Sequence, residues 1–100
     1  MKYLTAKLLT AGVHADWMTF DDAQRRSPKG GTVGNLVLKI PGPVSGPRRM
    51  LMAPTDPVPL CLGARPVRKG NYLVPADKST GLGADDRAGT AVVLATVLEI

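Results

Sequence analysis

The chain has 100 residues, of which 44% are apolar and only 4% aromatic, with one cysteine and a formal charge of +5. That length suits one small domain or part of a larger one, with a core of aliphatic side chains. A single cysteine excludes an internal disulfide and a cysteine zinc cluster, and no apolar run approaches the ~20 residues of a membrane span.

The basic residues fall in three groups: Arg25, Arg26 and Lys29; Arg48 and Arg49; Arg65, Arg68 and Lys69. No aromatic residues interleave with them to stack bases, so they read as solvated arginines and lysines on loops, and nucleic acid is set aside as a partner. Membrane is set aside too. The opening "MKYLTAKLLTAG" carries Lys7 in the middle of its apolar stretch, which does not suit a signal peptide. With the unpaired cysteine this points to a reducing, cytoplasmic setting. Cys61 has no base partner in sequence and reads as a small buried hydrophobe.

Along the chain, Leu4, Leu8 and Ala11 recur at helical spacing, and Gly12 is a natural stop. No polar residue caps the start of this helix. "DWMTF" is a short extended segment, and the polar, glycine-rich stretch from Asp21 to Gly34 is a loop. "NLVLKI", Asn35 to Ile40, alternates and is rich in branched residues, which predicts a strand. "PGPVSGP" is a turn. "RRMLMA", Arg48 to Ala53, is expected to be the neighbouring strand, covered on both faces because Met50 to Ala53 are all apolar. "VRKGNYLV" predicts a small hairpin turning at Lys69, Gly70 and Asn71.

"GLGADDRAGTAVVLATVLEI" closes the sequence. Gly81 and Gly83 give a flexible approach, and Asp85 or Asp86 can cap the helix that follows. From Arg87 to Ile100 apolar residues cover most of the circumference, so this helix is expected to pack on a sheet face and to need cover on most sides. Its last turn has no glycine, basic residue or proline. Both ends of the chain therefore read as cut, and residues 1–100 as part of a larger domain.

Two places carry candidate chemistry. One is "LMAPTDPVPL", where Asp56 stands between Pro54 and Pro57 at the end of an apolar run. The prolines keep this stretch out of a sheet interior and out of a helix. The other is the pair Asp85 and Asp86. Carboxylates at this helix start would repel phosphates, whereas a divalent cation suits them. A cap alone is the plainer reading.

"MLMAPTDPVPL", thirty residues upstream of "GLGADDRAGTAVVL", resembles the N-terminal part of the peptidase T-like metallopeptidases, the group that includes peptidase T, aminoacylase and glutamate carboxypeptidase. The first motif of that family is His-x-Asp-Thr-Val-Pro at a strand end, and the second is Gly-Ala-Asp-Asp-Lys-Ala-Gly at a helix start. "GADDRAG" departs from the second only by Arg87, and "GNLVLKIPG" also fits the family pattern. The resemblance runs from about Trp17 to the end. It implies an α/β fold, a three-layer sandwich with a twisted mixed sheet flanked by helices, of which this chain would be an incomplete piece. Ligands at strand ends agree with the rule for open α/β sheets.

The resemblance also implies two zinc ions and hydrolysis of a peptide or acyl-amino-acid bond. It places the bridging carboxylate at Asp85. It gives Asp56 the task of orienting a histidine ligand, a role that fixes tautomer and basicity. The histidine position itself is Pro54, which has no donor atom, and Pro57 stands where the family has threonine. His14, the only histidine, lies forty residues earlier in a loop. The glutamate pair, the further carboxylate and the distal histidine of the family have no counterpart in these residues. A catalytic zinc needs about three protein ligands, so the chain alone is expected to be inactive and not to hold zinc. Two alternatives stand beside this one: a degenerate, non-catalytic binding or assembly module, and a basic surface-binding module. A homodimer is an option the sequence leaves open.

Overall fold

A computed structural model describes residues 1–100 and divides them into two compact units, Met1–Arg48 and Arg49–Ile100. The chain is mixed α/β, with two helices and two small antiparallel ribbons.

In the first unit, α1 spans Lys2–Thr10 and buries Leu8, which is 5% exposed. Its end follows from Gly12. At φ +90° this glycine lets the chain reverse, so that its own amide donates to the Leu9 carbonyl and that of Val13 to the Leu8 carbonyl, both at 3.0 Å. This crossed pair satisfies carbonyls that the last helical turn would otherwise leave open. No side chain caps the other end.

A short 3-10 turn, Ala15–Trp17, leads into β1, Met18–Phe20. β1 pairs antiparallel with β2, Leu36–Leu38, in the register Met18–Leu38, Thr19–Val37 and Phe20–Leu36. Backbone bonds from Lys39 to Trp17 and from Asp21 to Asn35 prolong the ladder at each end. The strand expected at Asn35–Ile40 is therefore present, shorter at its core. Its partner is the "DWMTF" segment, not Arg48–Ala53.

Residues 48–53 form no strand. Met50 is 81% exposed and Met52 78%, so the expectation of a central strand covered on both faces is overturned. The physical reason is the flanking sequence. Pro47 and Pro54 remove ladder donors on both sides, and Pro41 and Pro43 interrupt the connection that a hairpin with Asn35–Ile40 would need. Apolar content alone did not supply a partner.

In the second unit, β3 (Pro66–Lys69) and β4 (Tyr72–Pro75) form the expected hairpin. The connection is Gly70–Asn71, with Gly70 at φ +58°. Glycine at the first position of a two-residue connection is the placement that hairpin twist favours. Its carbonyl accepts from Arg68 Nε at 2.9 Å, and Ala76 donates to Arg65 at 2.8 Å beyond the strands.

α2 spans Ala84–Glu99. Its first residues are irregular: Asp85 (φ −90°, ψ 104°) and Asp86 (φ −121°, ψ 43°) are not helical, and the peptide bond between them is cis. Regular helix begins at Arg87. Within it the Thr96 hydroxyl donates to the Val92 carbonyl at 2.9 Å, which satisfies one of its few polar groups. No residue of α2 is fully buried, and Val92 is 66% exposed. The expected packing of this helix on a sheet face is not realised.

The molecule exposes 8446 Å². Two separate compact bodies of half its 10.5 kDa would expose about 6,500 Å² between them. Much of the apolar surface named above thus stays in contact with solvent. No helix is long and apolar enough to cross a membrane.

Candidate functional site

The two segments singled out in the sequence meet in the second unit. The link is specific: the Thr90 hydroxyl, on the second turn of the regular helix, donates to the Pro54 carbonyl at 2.9 Å. A second bond lies beside it, from the Gly81 amide to the Leu60 carbonyl at 3.1 Å. Pro54 is therefore tied by its backbone to the helix that carries the paired aspartates.

Gly81 and Gly83 make the approach close. A Cβ on Gly81 would stand 3.0 Å from the Cys61 sulfur, and one on Gly83 would stand 3.6 Å from Pro57 Cβ. Gly83 is buried and left-handed, at φ +79°. These glycines were expected to give flexibility. In the structure they let residues 57–61 pack against the start of α2, which is a requirement of space and backbone angle.

The paired aspartates separate into two roles. Asp86 accepts the amide of Gly89 on Oδ1 at 2.9 Å, three residues on, which is the bond of an N-cap carboxylate. Gly89 has to be small for this: a Cβ there would lie 2.7 Å from the Asp86 carboxyl carbon. Asp85 is exposed and lies one residue outside the cap. The sequence left open which of the two caps the helix, and the structure decides for Asp86.

Asp56 is exposed, as is Pro54, while Thr55 and Pro57 are half-buried. Beside them an open depression of about 350 Å³ is lined by Pro57, Val58, Pro59, Cys61, Leu62 and Arg87. Its lining offers one guanidinium and one thiol among apolar groups, with no carboxylate or imidazole to act as a base. Cys61 is half-buried rather than fully enclosed. His14 belongs to the other unit, where its ring packs on Trp17 with centroids 4.7 Å apart at 49°.

The corner does not fit a zinc ion. Its free carboxylates are Asp85 and Asp56, Pro54 carries no donor, and no histidine is contributed by this unit. No group of three or more His, Cys, Asp or Glu side chains gathers anywhere in the chain. Zinc sites use about three protein ligands or more, usually nitrogen or sulfur among them.

One polar cluster was missed by the sequence reading. Asp21 Oδ1 accepts the amides of Ala23 at 3.0 Å and Asn35 at 2.8 Å, and Oδ2 accepts Asn35 Nδ2 at 2.9 Å. These bonds hold its carboxyl below the ordinary aspartate range, the Ala23 amide most of all. The cluster closes the loop between β1 and β2. The signal available in sequence was an aspartate and an asparagine bracketing a glycine-rich loop between two short strands. Comparison with protein-family models, with curated proteins and with solved structures finds no match for the chain.

Proposed function

We propose that the hundred residues are the N-terminal part of the catalytic domain of a peptidase T-like zinc hydrolase, an exopeptidase or amidohydrolase cleaving peptide or acyl-amino-acid bonds, and that they are inactive by themselves. The observation that carries the reading is the joining of residues 54–61 to residues 81–90 through Thr90 and Pro54. Two segments singled out in the sequence, and matched to the two family motifs, lie against each other, although thirty-six positions separate the bonded residues. The large solvent-facing apolar surface of α2 supports the same reading, because further layers of a three-layer sandwich would cover it.

In this reading Asp85 takes the bridging position and Asp56 the orienting position, with a peptide or acyl-amino-acid as the substrate of the complete enzyme in the cytoplasm. A homodimer is compatible with it. Pro54 stands in the way: with no imidazole there, Asp56 has nothing to orient. That single residue favours a second reading, in which the chain keeps part of the fold as a non-catalytic binding or assembly module.

Reading the coding DNA past codon 100 separates the two. An in-frame continuation with adjacent glutamates and a later histidine upholds the hydrolase reading. A stop codon, or a continuation without those residues, overturns it and leaves the non-catalytic module.

A further inference from the structure

We infer that the corner between residues 54–61 and 81–90 is a metal-independent joint: it is held by the Thr90–Pro54 and Gly81–Leu60 bonds, with Asp86 capping the helix that carries Thr90, and Asp85 plays no part in holding it. The inference rests on the proposed family reading for its contrast, since that reading would make the same corner a metal centre.

The argument begins with donors. Pro54 offers only its carbonyl, and that oxygen already accepts from Thr90 at 2.9 Å. Asp86 is the carboxylate bonded to the helix, through the Gly89 amide. With Asp86 Oδ1 engaged by a backbone amide and the Pro54 carbonyl by a hydroxyl, the side-chain acceptors open to a cation are Asp85, Asp56 and Asp86 Oδ2, all carboxylate. Carboxylates without an imidazole make a weak zinc site.

The holding forces are the other half. The Gly81 amide bonds the Leu60 carbonyl at 3.1 Å, and a Cβ added at Gly83 would fall within ordinary contact of Pro57 and Cys61, which places the helix start close beside them. Together with the Thr90 bond these tie the proline-rich segment to α2 and to the loop that leads into it. None of the bonds uses a side chain that a metal would have to claim. Pro54, Gly83 and Asp86 thus have structural roles that do not depend on zinc.

The test is amide hydrogen exchange on the full chain, followed by NMR, in chelator and again in excess zinc chloride. Gly81 and Gly89 are the reporters, because their amides make the two bonds in question. Both are expected to be protected to the same degree in the two solutions. Asp86→Ala should speed exchange at Gly89 by tenfold or more and Thr90→Val should speed it several-fold at Gly81, while Asp85→Ala moves neither. Zinc that slows both amides in the parent chain and not in Asp85→Ala would overturn the inference while upholding the family reading. Reporters unprotected in both solutions would overturn it too. Loss of the family reading, by contrast, would come from the DNA past codon 100 and would leave these exchange rates unchanged.

Discussion

Asp21 and Asp86 solve the same local problem in the two units with different completeness. Each is an aspartate set close against a glycine: Gly34 beside Asp21, Gly89 beside Asp86. Asp21 uses both carboxylate oxygens and gathers two amides and a side-chain amide from residues up to fourteen positions away. Asp86 accepts one local amide, and its neighbour Asp85 is left exposed outside the cap. A carboxylate engaged on both oxygens is explained by the fold. A spare carboxylate beside a capping one, as Asp85 is, is not required by the fold.

The sharpest way to break this comparison is at Gly34. A Cβ there would overlap the Asp21 carbonyl oxygen and stand 2.7 Å from its carbonyl carbon. Backbone atoms cannot swing aside as a side chain can. Gly34→Ala is therefore expected to cost about 3 kcal/mol through overpacking. For a chain with a single buried apolar residue, Leu8, that unfolds the first unit. The signature is loss of NMR dispersion for Met18–Phe20 and Leu36–Leu38, with the Tyr72–Pro75 signals retained. A stable, native-like Gly34→Ala variant would show that the loop is not clamped as described.

The second unit should fail more gently. At Gly83 a Cβ would meet its neighbours at 3.4 Å or more, so space is adequate and the cost lies in φ +79°. A left-handed alanine costs roughly 1–2 kcal/mol. Gly83→Ala is expected to loosen the corner by that amount, read as faster exchange at Gly81. Gly89→Ala should come out nearer neutral. The displaced Asp86 carboxylate loses its cap, worth about 1 kcal/mol, while alanine regains about 1 kcal/mol of helix propensity. If the two substitutions cost the same, steric approach rather than backbone angle governs the start of α2.

What was legible in the sequence followed local chemistry. Gly12 announced the end of α1, Lys69, Gly70 and Asn71 announced a hairpin turn, and the apolar run after Asp86 announced a helix. Each of these depends on residues a few positions apart. The misplaced strand at Arg48–Ala53 depended on a partner, and apolarity in Met50–Ala53 says nothing about whether a partner exists. Asp21 failed for a related reason. Its three bonds need the β1–β2 register to bring Asn35 within reach, and a polar loop does not reveal that in advance. At the candidate site, the sequence singled out residues 54–61 and 81–90 as segments, whereas their contact through Thr90 and Pro54 and the split between Asp85 and Asp86 needed the structure.

The smallest expected effect sharpens the comparison through pH. Asp21 is held below the ordinary aspartate range by the Ala23 amide, then by the side chain and amide of Asn35. Asp77 is lowered likewise, by the Ser79 hydroxyl and then the Ser79 amide, at 2.7 and 2.8 Å. A carboxyl lowered in the folded state stabilises the fold fully above its unfolded value. That contribution fades as pH falls below about 4 toward the folded value. Both clusters should therefore loosen on acidification and be indifferent to pH between about 5 and 8. Because Asp21 ties two strands and Asp77 only a turn, the acid response of the Asn35 amide signals should coincide with loss of the β1–β2 cross-strand contacts, while that of Ser79 stays local to residues 77–80. An NMR titration in which Leu36–Leu38 ignore the protonation of Asp21 would mean that the cluster decorates the loop without holding it.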